Sequence, residues 1–304
     1  MEKIGFEGWP NCLRLFNREI DLIVTADVGP RIIRCGFING QNLLYVSPDD
    51  RGRTGGLQWH IYGGHRLWHA PEVMPRTYFP DNAPVDFGWN GKTLKLTQVM
   101  ETTTGIVKEM EITLDPHRNC INILHRLINK NLWAIETSPW AITACAAGGT
   151  AILPQEPYID PAEFLLPARP VVLWHYTQMN DLRWNWGNKY IRLKQDPTIV
   201  TEQKTGIMNK QGWAAYYLNK DLMIKRFEFN SSMQYPDYGC NNEVYVNGNF
   251  LEIESLGPVQ KLFPDQAAEH SEHWLITNLN RDMEMKEETA LDQILLPKVK
   301  SFDF

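Results

Sequence analysis

Three observations predict an all-β fold of many antiparallel strands with short turns and few helices. Asn-Gly, whose two residues tolerate the positive φ of a tight hairpin turn, occurs three times between strand-like segments: Asn39-Gly40 in GFINGQNLLYV, Asn90-Gly91 in FGWNGKTLKLT and Asn247-Gly248 in EVYVNGNFLEIES. Apolar and polar residues alternate with period two in several further stretches. Helical spacing is scarce, with its best case close to the C-terminus. Such a pattern folds as two packed sheets or a barrel.

Taken along the chain, DVGPRIIRCGFING starts a strand after Gly-Pro, which places Arg31 at a strand end. Residues 47–90 are long, poorly periodic and rich in Gly, Pro and aromatics, and loops of that length inside a compact domain are usually functional. IVKEMEITL puts Met110, Ile112 and Leu114 on one strand face, with Glu109, Glu111 and Thr113 on the other. NCINILHRLIN aligns Ile121, Ile123, His125 and Leu127, so His125 reads as a hydrogen-bonded core histidine. SPW at 138–140 leads into an apolar strand, and DLMIKRFEF and HWLITNL are further strands. EHSEHW, with Glu269, His270, Glu272 and His273, reads as a polar approach to the last strand. MKEETALDQILLP spaces Leu291, Ile294 and Leu295 helically, and Pro297 is expected to end that helix.

Composition narrows the function classes. The 304 residues are 43% hydrophobic and 22% charged, with a net charge of −6. Basic residues are dispersed, which argues against nucleic acid as a partner. The apolar stretch AITACAAGGTAILP (141–154) is too short and glycine-broken to span a bilayer, so no membrane partner is expected. The five cysteines are widely spaced without a CxxC motif, which suits buried free thiols, and MEKIGFEGWPNC lacks a secretory apolar region; both point to the cytoplasm. No linker or charge block divides the chain, so residues 1–304 are read as one domain. The 11 Trp, 11 Tyr and 12 Phe serve mainly a sheet core. Trp59, Trp68, Trp89, Trp184 and Trp186 lie beside polar groups and suit a wet pocket equally well.

Three constellations carry the candidate chemistry. YGGHRLWHAPE (62–72) places His65 and His69 four apart, with Arg66, Trp68 and Glu72 between and after them. Gly63-Gly64 permits close backbone approach and Pro71 stops any regular element. A structural loop with satisfied histidines is an equal reading. The HxxxH spacing lacks the HExxH order and a third ligand, so neither metal nor cofactor is expected. In VYVNGNFLEIESLGP the hairpin sends Phe250, Glu252 and Glu254 to the face opposite Leu251 and Ile253, joined by Glu243 and Tyr245 from the partner strand. That face is composed like a sugar-binding floor, and also like a wet surface. Arg31 is read equally as a binding group and as a structural ion pair. The P-loop, the dinucleotide glycine motif and the GxSxG elbow are missing, which leaves phosphoryl transfer, nicotinamide chemistry and serine hydrolysis without support.

In order, GPRI (29–32), GGHRLW (63–68), a long run of strands, and LEIESLGP followed by LFPDQAAEHSEHW (251–274) resemble the galactose mutarotase-like superfamily. The chain is most similar to a bacterial branch marked by GGHRLW-APE and SPWA-T. The resemblance spans nearly the whole length. It implies a galactose mutarotase-like β-supersandwich holding a mono- or oligosaccharide in a cleft, with Arg31 as a sugar contact, His65 as the loop histidine and Glu254 as the late-strand catalytic base. Where mutarotases carry an acid histidine in a mid-chain Thr-Asn-His strand, this chain reads ETSPWAITA, with Trp140 in that place.

What the resemblance implies for the reaction therefore stays open among three readings. An aldose 1-epimerase needs a base for the O1 proton and an acid for the ring oxygen, with Glu254 and His65 as the smallest set, Arg31 on hydroxyls and Trp68 stacked on the ring. A lyase of acidic saccharides needs a base such as His65 or His69 and a cation such as Arg31 or Arg66; a hydrolase needs two carboxylates, such as Glu72 and Glu254. The third reading is a sugar-binding module without turnover, with Trp140, Glu252 and the tryptophans lining the cleft.

Overall fold

In the computed structural model, which describes residues 1–301, alternation has produced two large antiparallel sheets. The first runs in the order Glu2–Phe6, Trp9–Phe16, Ile20–Thr25, Arg31–Phe37, His65–Ala70, Ile135–Cys145, Leu251–Leu256, Asn242–Val246, Gln203–Ile207 and Val171–Leu173. Gln260–Leu262 adds to the beginning of Ile135–Cys145. The second runs Trp184–Trp186, Tyr190–Lys194, Thr150–Pro154, Trp213–Leu218, Asp221–Phe227, Ala267–Asn278, Cys120–Asn129, Ile106–Leu114, Thr93–Thr97 and Asp86–Trp89.

Two of the three Asn-Gly sites close hairpins. Asn90-Gly91 joins Asp86–Trp89 to Thr93–Thr97, and Asn247-Gly248 joins Asn242–Val246 to Leu251–Leu256 in the register Val246↔Leu251. Asn39-Gly40 turns the chain, with Asn39 at φ 61°, but the segment after it makes only the isolated bridges Leu44↔Cys145 and Val46↔Gly63. The alternating faces of Ile106–Leu114 and Cys120–Asn129 behave as read: Met110, Ile112, Ile121, Ile123, His125 and Leu127 are all buried. All five cysteines are free and buried.

The C-terminal helix, Glu288–Lys300, does not stop at Pro297. Proline costs a helix the hydrogen bond of its missing N–H, but so near the end only one bond is at stake. The Pro297 carbonyl accepts from Ser301 N–H at 3.0 Å and closes the last turn. Leu291 and Leu295 pack on the outer face of the second sheet with Ile152, Trp213 and Leu222. No helix among the described residues is long and apolar enough to cross a membrane.

Between the sheets lies an apolar core that includes Leu22, Ile32, Met110, Ile123, Ile253 and Ile276, interrupted at its centre by a charged cluster. Lys225 lies 2.8 Å from Glu272, both side chains fully buried. Ser255 Oγ donates to Glu272 Oε1 at 2.5 Å and Trp274 Nε1 to Oε2 at 2.9 Å. Lys225 also donates to Thr143 Oγ1 at 2.7 Å and to the Ile253 carbonyl at 3.2 Å. EHSEHW is thus not merely a polar approach: it lies inside Ala267–Asn278, and its alternation sends His270 and Glu272 inward.

Hydrogen bonding fixes the tautomers of the neighbouring imidazoles. His125 Nδ1 sits 2.9 Å from the His270 carbonyl, which can only accept, so Nδ1 carries the proton. His125 Nε2 then accepts from His65 Nε2 at 2.7 Å, and His65 Nδ1 accepts from the Thr143 hydroxyl at 2.9 Å. Burial pushes His65, His125 and His270 below the usual imidazole range, His270 to about 3. Burial is the largest influence on Glu272 and opposes its charge, but the Lys225 ammonium together with His65, His125 and His270 more than offsets it and holds the carboxyl well below its usual range.

Two outcomes follow. The unfolded chain protonates these three histidines near pH 6.5, while the folded chain does so only at lower pH. The thermal midpoint should therefore hold above about pH 6.5 and fall below it, as read by calorimetry across that range. Lys225→Met leaves Glu272 sealed without a counter-charge and should cost about 3–5 kcal/mol in urea unfolding; a loss under about 1 kcal/mol would show that the pair does not carry the charge balance.

Candidate functional site

The central strand of the first sheet, His65–Ala70, is buried along its whole length and presents different chemistry on each face. Cross-strand register aligns His65 with Thr143, and Arg66 with Ile142 and Arg31. Ile142 lies opposite Glu254, which lies opposite Glu243; Tyr245 lies opposite Glu252 and Lys204. One face therefore carries His65, Leu67 and His69 toward the second sheet. The other carries Arg66, Trp68, Trp140, Glu252 and Lys204 into a cleft turned away from it, with Glu254 and Glu243 buried beneath on the same face.

The glycines of YGGHRLW make this strand possible. Gly63 and Gly64 have φ of 94° and 71°, and a Cβ on either would meet the Tyr45 or Ile32 carbonyl oxygen at 2.2 or 2.1 Å. The chain can approach the sheet so closely there only without side chains.

The cleft encloses about 460 Å³. Its floor holds Arg66, Glu252 and Lys204, and its walls are Trp59, Trp68, Trp140, Trp174, Tyr78, Tyr176, Tyr245 and Phe250. Arg66 Nη2 is 3.0 Å from Glu252 Oε1, and the guanidinium lies over Trp68 at 4.8 Å. Lys204 Nζ is 2.8 Å from Glu243 Oε2 and 3.0 Å from Glu254 Oε2, and lies over Trp140 at 4.7 Å and Trp174 at 4.9 Å. Burial disfavours the Lys204 charge, but Glu243 and Glu254 more than offset that and hold its pKa well above the lysine range. Burial raises both Glu252 and Glu243, against the neighbouring Arg66 and Lys204 charges respectively. At the mouth, Tyr78 donates to Glu72 and Tyr245 to Glu202.

Of the residues singled out in the sequence, Arg66, Trp68, Glu72, Trp140 and Glu252 line this cleft. Four do not take the expected place. His65 is on the opposite face of the sheet from Glu254, hydrogen-bonded between the sheets, so the expected His65–Glu254 acid–base pair does not converge. His69 is also on that inner face, 3.4 Å from Glu101, which is matched by Lys108 at 2.6 Å. Arg31 is fully buried, bonded to Asp81 at 2.6 Å and to the carbonyls of Ile61 and Gly63 at 3.1 and 2.5 Å; it anchors the loop before His65. Glu254 is on the cleft side but sealed beneath Trp140, whose Nε1 donates to it at 2.7 Å, and Lys204.

Lys204, Glu202, Trp174 and Tyr176 were not singled out from sequence. Lys204 lies in Gln203–Ile207, a strand buried at every position, so its alternation is invisible. Trp174 and Tyr176 follow the short edge strand Val171–Leu173, and the aromatic density of VVLWHY is their only signal.

His65, His125 and Glu272 place three metal-ligand atoms within 4.8 Å of one another. Two nitrogens at about 2.0–2.1 Å from one tetrahedral ion stand roughly 3.3 Å apart. The two Nε2 atoms are 2.7 Å apart and share a proton, and Lys225 already supplies the cation for Glu272. The cluster as arranged is a hydrogen-bond network.

No protein-family model matches the chain, and no curated protein matches its sequence. Solved structures do share its fold. A galactose mutarotase-like protein from Lactobacillus casei superposes with a TM-score of 0.59 at 8% identity, covering 88% of this chain and 100% of that one. A candidate aldose 1-epimerase from Klebsiella pneumoniae gives 0.63 at 11% identity, covering 98% and 86%. A galactose mutarotase related enzyme from Lactobacillus acidophilus gives 0.51 at 9%, covering 88% and 97%. The fold is the galactose mutarotase-like sandwich, as the sequence resemblance implied; at these identities the likeness extends to the fold alone.

The position of Arg31 makes it a stability residue. Arg31→Met strands Asp81 in a buried site and should cost about 3–5 kcal/mol by urea unfolding.

Proposed function

We propose that this chain binds a mono- or oligosaccharide in the cleft and performs acid–base chemistry at its anomeric carbon, of the aldose 1-epimerase type. The observation that carries this reading is Glu252: a buried carboxylate on the floor of an aromatic-walled hollow, with its pKa displaced upward toward the range of a useful base. Aromatic walls suit the apolar faces of a pyranose, and fixed polar groups on the floor suit its hydroxyls. The mutarotase-like fold supports the same substrate class.

In this reading Glu252 takes the proton from O1 as the C1–O5 bond breaks. The ring oxygen is met by a proton donor of the wall. Tyr176 fits that role, because burial keeps its phenol protonated. Rotation about C1–C2 and reclosure return the proton and deliver the other anomer. Arg66 holds the Glu252 carboxylate in place and offers its remaining N–H groups to sugar oxygens. Glu254, sealed under Trp140, is not the base here; its carboxylate orients Trp140 and Lys204.

Polarimetry of freshly dissolved α-aldoses should show faster approach to equilibrium with the protein. Glu252→Gln should lower the rate by about 10²–10⁴-fold while sugar binding by calorimetry persists. The rate should fall with acid through an inflection above the ordinary carboxylate value of about 4.3, since the base must be ionised. Binding without acceleration for any aldose would replace the epimerase reading with binding alone, which the sealing of Glu254 favours.

A further inference from the structure

The charges of the cleft are unevenly matched, and that bears on which saccharide it takes. Its two cations are already compensated: Arg66 by Glu252 at 3.0 Å, Lys204 by Glu254 at 3.0 Å and Glu243 at 2.8 Å. Two further carboxylates line the same hollow, Glu72 and Glu202. Each accepts a hydrogen bond from one tyrosine, Tyr78 or Tyr245, and neither makes an ion pair among the described residues. The surplus charge is negative.

A second feature points to a ligand independently. Arg66 is 3% exposed, yet its Nε and Nη1 have no hydrogen-bond partner among the described residues. Buried guanidinium donors left unbonded are costly unless a ligand satisfies them. With the Arg66 charge already matched, neutral sugar oxygens suffice for those donors. A uronate or sugar phosphate would instead bring a third unmatched anion beside Glu72 and Glu202, whose exposed carboxylates at the mouth repel it.

Resting on the saccharide reading above, we propose that the cleft selects a saccharide bearing a protonated amine, an amino sugar with a free ammonium group, and discriminates against acidic saccharides. The ammonium faces Glu72 and Glu202 at the mouth, where the aromatic rings add cation–π attraction, and hydroxyls face Arg66 on the floor. Glu72 and Glu202 are the specificity-determining residues.

The test is calorimetric titration at about pH 6.5 with glucose, glucosamine, N-acetylglucosamine and glucuronate, and with the matching galactose series. An amine of this kind, with a pKa comparable to the 7.7–8.0 of an α-amino group, is then mostly charged. The expected order is the amino sugar at least about tenfold tighter than the neutral and acetylated sugars, with the uronate weakest. The preference should shrink at about pH 9 and in the double variant Glu72→Gln, Glu202→Gln, which leaves Arg66 and Glu252 in place. Circular dichroism of the variant establishes that it is folded, and the single variants serve if it is not. Neutral sugars bound as tightly as amino sugars, or a uronate bound tightest, would overturn this proposal and leave the saccharide reading intact. No heat from any mono- or oligosaccharide would overturn both.

Discussion

Two opposite charges locked between the sheets, Lys225 and Glu272, set the terms for everything around them. An ion pair in a dry layer is tolerated only when both partners are matched and their remaining bonding capacity is filled. Here Thr143, Ser255 and Trp274 complete the matching, and Thr143 and Ser255 come from the first sheet while Trp274 comes from the second. Both charges sit on adjacent strands of the second sheet, and their bonds to Thr143, Ile253 and Ser255 tie those strands to the centre of the first. Thr143 passes the constraint to His65, and His65 to His125. With the imidazole of His65 held on the inner face, period two leaves Arg66 and Trp68 no alternative but the outer one.

The cleft is the other side of that constraint. Its floor stands on side chains whose strands are clamped from behind, which is how a rigid scaffold positions polar groups without relying on loops. Trp140 illustrates the arrangement. It contributes its ring to the wall at 5.5 Å from Trp68, and its N–H to the Glu254 carboxylate below. Lys204 is held over two indoles by two carboxylates beneath it, so its ammonium is fixed in position rather than free to swing. The chemistry available at the surface of the hollow is consequently that of Glu252, the tyrosine phenols, the unfilled Arg66 donors and the acidic mouth.

Several parts of this were legible in the sequence because they depend on local periodicity. The Asn90-Gly91 and Asn247-Gly248 hairpins, the inward faces of Ile106–Leu114 and Cys120–Asn129, the core histidine His125 and the gathering of Phe250, Glu252 and Tyr245 on one hairpin face all follow from φ requirements or from alternation. The glycines before His65 also announced a close backbone approach. Other residues misled because alternation says that two neighbours point apart without saying which way is in. His65 looked like a cleft residue, and only its partners across the sheets show otherwise. Arg31 misled differently: it lies opposite Arg66 in register, but Asp81 and the carbonyls of Ile61 and Gly63 engage it as the anchor of a loop.

By itself, then, the order of amino acids determined that the chain alternates, where it turns tightly, and that aromatic and charged residues cluster in YGGHRLWHAPE and in the Asn247-Gly248 hairpin. These are properties of a residue and its near neighbours. Tertiary structure alone decided that Arg66 rather than His65 meets the hollow, that Lys204 enters it from a strand some 140 positions away, and that Glu254 lies beneath a tryptophan. The physical reason is that a side chain's environment in a two-sheet sandwich depends on what lies across the sheet and above it. Those contacts join segments whose separation along the chain carries no trace of their proximity.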